Sequence, residues 1–257
     1  MESFQPVRVR GASTDALRQI LERIQSGRLA EGDLLPSERI LATQMGVSRP
    51  TVRAVLEQLT SAGLVRVSAG RGGGARLVSV WVPEDLEDPG TRLDHIPSAE
   101  IVFGLLEAHR TLEPRVAQLA ALRATGEQLG LMEESIELLR NASQSAERAA
   151  QAETRFHRIM WYASGNPVLE RTMIDMSSEL KAVRRLVSHG PDDHAVRVDL
   201  HEASMAAIRA GNPTGIETEM GRHLDHFRDA IESFFRQKAQ RPVPGFLTSE
   251  SESRPNS

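Results

Sequence analysis

Two helix signals follow one another at residues 37–59 with only a three-residue turn between them, and this juxtaposition constrains the fold more than any other feature. Ser37 is a good N-cap for a short helix of about nine residues, with Ile40, Leu41 and Met45 inward and Gly46 at its end. Val47 plugs the turn, Ser48 caps again, and Pro50 is harmless in a first turn. Val52, Val55, Leu56 and Leu59 then recur at i, i+3, i+4 and i+7, one apolar helical face. Upstream, Ala16, Leu17, Ile20, Leu21 and Ile24 form another stripe, closed by Gly27. Downstream of Gly63 the period changes: Leu64, Val65 and Val67, a glycine-rich tip SAGRGGGA, then Leu77, Val78 and Val80 predict a β-hairpin. Helix, short helix, turn, helix and hairpin is the order of a winged helix-turn-helix.

The polar residues of this segment fit contact with duplex DNA. Arg49 and Arg53 are four apart, so they share a helix face and can enter a major groove together, where a guanidinium can fork onto guanine O6 and N7. Arg39 lies in the first turn of the short helix, placed for a phosphate or a neighbouring base. Ser37, Ser48 and Thr51 can donate to phosphates near helix N-termini, and Arg71 at the hairpin tip is placed to reach a minor groove. The RGGG tip lacks the lysine and the strand-to-helix context of a phosphate-binding loop. Charge supports the same division: residues 1–78 carry 11 Arg against 7 acids, whereas residues 79–257 carry 20 Lys and Arg against 28 acids and all eight His. A net −4 thus conceals a +4 segment joined to a −8 segment.

The expected organisation is a winged helix-turn-helix domain over 1–78, a Pro-rich and acidic linker over 79–98, an all-helical domain of six to seven helices over 99–238, and a disordered Ser, Glu and Pro-rich tail over 239–257. The fold class is mostly α. Breaks are expected at Gly126, at residues 164–167, 189–193 and 211–213, and a kink at Pro114; Asn166 reads as a helix cap. The absence of cysteine excludes a disulfide framework, thiolate metal sites and a cysteine nucleophile. With no apolar run of roughly 18 residues the chain is expected to be cytoplasmic, with no membrane partner.

Glu153 and His157 lie four apart on one predicted helix face, and two further helices carry His201 and His223. An antiparallel bundle allows such residues to converge, and three imidazoles with a carboxylate suit Zn, Ni or Mn better than Ca or Mg. Zn is the expected ion. His226 is a further polar group near this set, whereas His189 and His194 read as solvated loop residues.

The run GDLLPSERILATQMGVSRPTVRAVLEQLTSAGLV closely resembles the winged-helix domain of the GntR family of bacterial transcription regulators. That resemblance implies operator contacts by Arg39, Arg49 and Arg53, and approach of a wing glycine, Gly72 or Gly73, to the minor groove. Residues 100–237, through AHRTLEPRVAQLAAL, ETRFHRIMWYASGNPVL and HEASMAAIRAGNP, resemble the FCD effector module of the FadR subfamily. In that module an Asp, a His four residues on and two later His bind a divalent metal, matching Glu153, His157, His201 and His223, with glutamate where the family has aspartate. Arg110 matches a position lining the effector pocket; its alternative role is an ion pair with Glu113 or another acid. The resemblance implies a homodimeric, ligand-responsive repressor that binds double-stranded operator DNA and a small carboxylate metabolite. A regulator whose effector is the ion itself is one alternative. A metal-dependent hydrolase with a DNA-docking module is another, although no H-E-x-x-H run supplies a base.

Overall fold

The computed structural model describes residues 11–70, 73–83, 86, 97–184, 187 and 191–240, with side chains given for all but 191, 192 and 237–240. The wing-tip residues Arg71 and Gly72, His189, most of the linker, and the tail beyond residue 240 lie outside it.

The amino-terminal unit is built from α1 (Ala12–Gln25), α2 (Glu38–Met45), α3 (Arg49–Ser61) and the antiparallel strands β1 (Val65–Ser68) and β2 (Gly74–Leu77). The caps read from sequence are in place. Ser37 Oγ accepts from the Ile40 amide, Ser48 Oγ accepts from the Thr51 amide, and Gly46 ends α2 at φ 66°, a left-handed conformation that glycine adopts without steric cost. The α1 stripe meets Val52, Val55, Leu56 and Leu59 of α3 and the hairpin residues Leu64, Val65 and Leu77, enclosing one core. The hairpin is shorter at its far end than the apolar run implied, since Val78 and Val80 follow β2. Leu34, before α2, bridges to Arg76, a non-local pairing that no local periodicity reveals.

Six helices follow: α4 (Ala99–Arg123), α5 (Gly126–Arg140), α6 (Ala146–Ala163), α7 (Pro167–Arg184), α8 (Pro191–Ala210) and α9 (Pro213–Gln240). α4 runs through Pro114. Thr125 and Gln128 form a reciprocal capping box on α5, and the Asn166 side chain accepts from the Val168 and Leu169 amides at the start of α7. His194, expected in a loop, sits in α8, because the helix begins directly at Pro191, a residue well suited to a first turn. Phe156, Ile159, Met160, Met132 and Met220 are wholly buried at the centre of the bundle.

The two units touch through α6 and the end of α1. Gly27, at φ 73°, lies where an added Cβ would fall 2.9 Å from Leu131 and 3.3 Å from Ile159. A Gly27→Ala variant is therefore expected to lose about 1–2 kcal/mol by strain at a left-handed position and crowding of that contact. Denaturant titration checks this: no loss would mean that the contact is loose. Beyond it Arg155 donates to the Ile24 carbonyl at 2.7 Å, and Arg28 reaches both oxygens of Glu170 at 2.6 and 2.7 Å while lying 3.9 Å over the Tyr162 ring. Part of the expected linker is seated here too. Trp81 packs on the bundle core, and Val82, itself 1% exposed, accepts at its carbonyl from Gln151 at 2.7 Å.

Candidate functional site

The face of α3 away from the core carries Arg49 and Arg53, with side chains 62% and 59% exposed. Arg39 is also exposed, on α2. The Ser48 and Thr51 hydroxyls lie 2.7 Å apart, so both are engaged in the cap from which they would also meet a phosphate. One residue that spacing did not reveal stands among them. Glu38 accepts from Arg53 Nε at 3.2 Å and Nη2 at 3.0 Å and lies 3.9 Å from Arg49. The hydrogen bond from Arg53 outweighs partial desolvation and holds the Glu38 carboxyl below its ordinary range. On the hairpin, Arg66 and Arg76 are directly opposed, both exposed. Like charges in cross-strand register repel unless an anion lies between or a second partner draws one away, and Arg76 does donate to the Gly32 carbonyl. Alternation in VRV and ARL was the signal for this pair.

The second site lies inside the bundle. α6 contributes His157, α8 His201 and α9 His223, with one nitrogen from each ring inside a 4.8 Å grouping. All three rings are buried. Each Nδ1 is committed elsewhere: His157 to Glu113 at 2.7 Å, His201 to the Arg197 carbonyl at 2.7 Å, and His223 to Ser204 at 3.5 Å. With Nδ1 so engaged, Nε2 is the nitrogen each ring has left to offer an ion, and His201 Nε2 is buried without a hydrogen-bond partner. Burial, reinforced by the neighbouring rings, lowers His201 to about 4 and pushes His223 well below the usual imidazole range. Burial thus favours the neutral ring in both, the form a metal requires. An orphaned buried nitrogen facing two more imidazoles fits a borderline divalent ion.

Glu153 stands apart from that grouping. Its carboxylate accepts from Arg197 Nε at 2.6 Å, both side chains being largely buried. Burial alone would raise this carboxyl, but the Arg197 hydrogen bond and charge outweigh it and hold it at about 2. Arg110 also points elsewhere. It is part-exposed and pairs with Glu217 at 3.6 Å and Asp225 at 3.4 Å on α9, while a small cavity of about 40 Å³ is lined by its neighbour His109 with Glu153, His157, Arg184, Arg197 and His226. The small residue Gly221 admits Arg110 to α9, since a Cβ there would lie 2.4 Å from its Nη2.

Of the acids open to Arg110 in its alternative role, Glu113 is not the one it meets: Glu113 is fully buried beneath the histidines. It accepts from His157 Nδ1 at 2.7 Å and Trp161 Nε1 at 2.8 Å, and its second oxygen lies 3.0 Å from His109 Nδ1 without the alignment of a hydrogen bond. Burial works to raise this carboxyl, and the His109 and His157 rings outweigh it, holding it well below the carboxylate range. His226 bonds Asp193 at 2.8 Å at the cavity rim. No described helix is long and apolar enough to cross a membrane.

A winged helix-turn-helix with exposed arginines, joined to a helical bundle with a histidine-lined cavity, is the layout of a DNA-binding transcription regulator. Comparison with known proteins makes this specific: the bacterial regulatory protein gntR family matches residues 12–73 and the FCD domain matches residues 104–226, and the chain belongs to the GntR family. It is 31% identical over 241 residues, 90% of each chain, to the L-lactate dehydrogenase operon regulatory protein of Escherichia coli (strain K12). It is 28% identical to the HTH-type transcriptional regulator LutR of Bacillus subtilis (strain 168), over 84% of this chain and 100% of that one. To the HTH-type transcriptional repressor NanR of Klebsiella aerogenes it is 27% identical over 80% of each. The solved structure of E. coli McbR/YncC covers 90% of this chain and all of its own at a TM-score of 0.52 and 18% identity, a likeness of fold. The protein is a transcription regulator and not an enzyme, so the hydrolase alternative falls.

Proposed function

We propose that this regulator is a homodimeric repressor released from, or driven onto, its operator by a small carboxylate that enters the histidine-lined cavity beside a divalent metal. His157, His201 and His223 would hold the ion, most suitably Zn with Ni or Mn as alternatives, and the ion would supply a positive charge to which an anion can bind. Arg184, Arg197 and His109 line the same cavity and add donors for an acid. The name of the E. coli relative, which refers to an L-lactate dehydrogenase operon, supports a small hydroxy acid as the class to try first. The name of the Klebsiella relative supports repression. One recognition helix covers one half-site, so a second copy is required for a short inverted repeat.

The observation that carries this reading is the geometry of α6. Glu153 and His157 face the cavity, whereas Arg155, Ile159 and Tyr162 lie about half a turn round the same helix and meet the last turn of α1 and the residues just after it. A ligand shifts an equilibrium only through unequal affinity for its two states, and a small rotation or translation of α6 changes both faces together.

The test begins by selecting bound duplexes from a random library with the full chain. Operator affinity is then measured with and without Zn and a panel of two- to six-carbon hydroxy and keto acids that includes L-lactate. At least one acid is expected to shift it about fivefold or more, in the presence of metal. A shift by Zn alone would make the ion the effector, and no shift by any of them would end the proposal. The Arg28→Ala variant should keep operator binding but lose most of that shift, because it removes the paired guanidinium that ties the segment after α1 to α7. A full response in Arg28→Ala would place the coupling elsewhere.

A further inference from the structure

We propose that the junction between the DNA-binding unit and the bundle is an anion site, in which Arg155 holds one monovalent ion of chloride size. A cavity of about 10 Å³ lies there, lined by Gln25 at the end of α1, Trp81 and Val82 of the segment after β2, Leu138 of α5, and Gln151 and Arg155 of α6. It shares no lining residue with the histidine-lined cavity.

Two arginines among the described residues are almost wholly buried, and they differ in how their charge is met. Arg197, 6% exposed, donates from Nε to Glu153 at 2.6 Å. Arg155, 5% exposed, donates from Nη1 to the Ile24 carbonyl at 2.7 Å, and its buried Nε has no hydrogen-bond partner. Among the described residues no carboxylate is close enough to pair with it, and Glu134 and Glu31 act on its charge only from farther off. Ile24 belongs to the last turn of α1, so the guanidinium also meets the negative end of a helix dipole, equivalent to about half a charge at most. The rest of the positive charge is left unbalanced in a buried setting, where imbalance is most costly.

Gln151 makes the opposite demand. Its Nε2 donates to the Val82 carbonyl at 2.7 Å, and its Oε1 is buried without a partner. A water would satisfy both orphan atoms, whereas a halide satisfies only Arg155. Yet an uncompensated buried charge costs more than one unmet neutral acceptor, so the charge decides for an anion. Size then decides which anion, because a space of this volume takes one water-sized particle and excludes phosphate, sulfate and carboxylates. Bound here, the ion sits where α1, the segment at 80–82 and α6 meet, and its loss loosens the seat of the DNA-binding unit on the bundle.

Full-length protein crystallised with sodium bromide, and measured at the bromine absorption edge, locates the ion. An anomalous peak within hydrogen-bonding reach of Arg155 Nε is expected. Thermal unfolding with chloride exchanged for methanesulfonate at constant ionic strength gives a second reading, since methanesulfonate is too large for the cavity. The wild-type midpoint should be about 2–4 °C higher in chloride, and Arg155→Gln, which keeps a donor but not the charge, should show almost none of that rise. If Arg155→Gln does not fold, Ala152→Val takes its place: it fills the same cavity, leaves the guanidinium intact, and should lose both the bromide peak and the chloride-dependent rise. A water without anomalous signal beside Arg155 in the wild type, a midpoint indifferent to chloride, or an equal rise in wild type and variant would each overturn the proposal.

Discussion

His201→Ala is expected to abolish the metal-dependent part of thermal stability and to lower Zn affinity about a hundredfold or more. Groups that merely orient a metal-binding histidine typically change affinity 10–100-fold, so deletion of one of three donors should do at least as much. A ligand bound only to the folded state at about 100 times its dissociation constant adds about 2.7 kcal/mol, and this increment should vanish from the variant. Calorimetry with Zn and with a chelator separates the two contributions. His157→Ala should lose the same increment, but it should also be weaker without metal, because Glu113 would keep Trp161 and lose the His157 donor that offsets its burial. His201 Nδ1 serves only a backbone carbonyl, and its Nε2 has no partner to lose. An undiminished Zn-dependent shift in His201→Ala would exclude that ring from the site.

The legibility of this chain in its sequence follows the range of the interactions concerned. Ser37, Gly46, Ser48 and Asn166 act on backbone groups within three or four residues, so their caps could be read directly. The winged-helix core was equally accessible, since the stripes of α1 and α3 are one-face patterns. Three histidines on three predicted helices were visible as candidates, but their convergence depends on how α6, α8 and α9 pack, which no spacing encodes. Two further residues show the limit more sharply. Glu153 was paired with His157 by a four-residue spacing, while its actual partner lies 44 residues away on α8. Arg110 and Glu113 are three apart, yet they diverge: Glu113 turns inward to His157 and Trp161, and Arg110 turns to the acids of α9 in the space left by Gly221. Glu38, 15 residues from Arg53, was hidden for the same reason.

Arg53→Ala is expected to cost about 1–3 kcal/mol of operator discrimination, roughly 5- to 150-fold, with almost no change in thermal stability. Stability is spared because the pair with Glu38 is solvent-exposed, and exposed pairs contribute little. Discrimination is not spared, because the pair determines how the guanidinium is presented. Glu38 takes Nε and Nη2, which leaves Nη1 and the outer edge of the fork to meet the two acceptors of a guanine. Arg49, within 3.9 Å of the same carboxylate, should respond similarly when replaced. Measurement on both the selected operator and random duplex separates the roles. A loss confined to the operator identifies a base reader, whereas equal losses on both, with a salt slope reduced by about one, would reassign Arg53 to a phosphate. Glu38→Ala sharpens the distinction: removing a negative charge beside DNA should strengthen random-duplex binding, while the unanchored Arg53 should read the operator less well. If Glu38→Ala strengthened both equally, the carboxylate would be a simple repulsive charge rather than the group that aims Arg53.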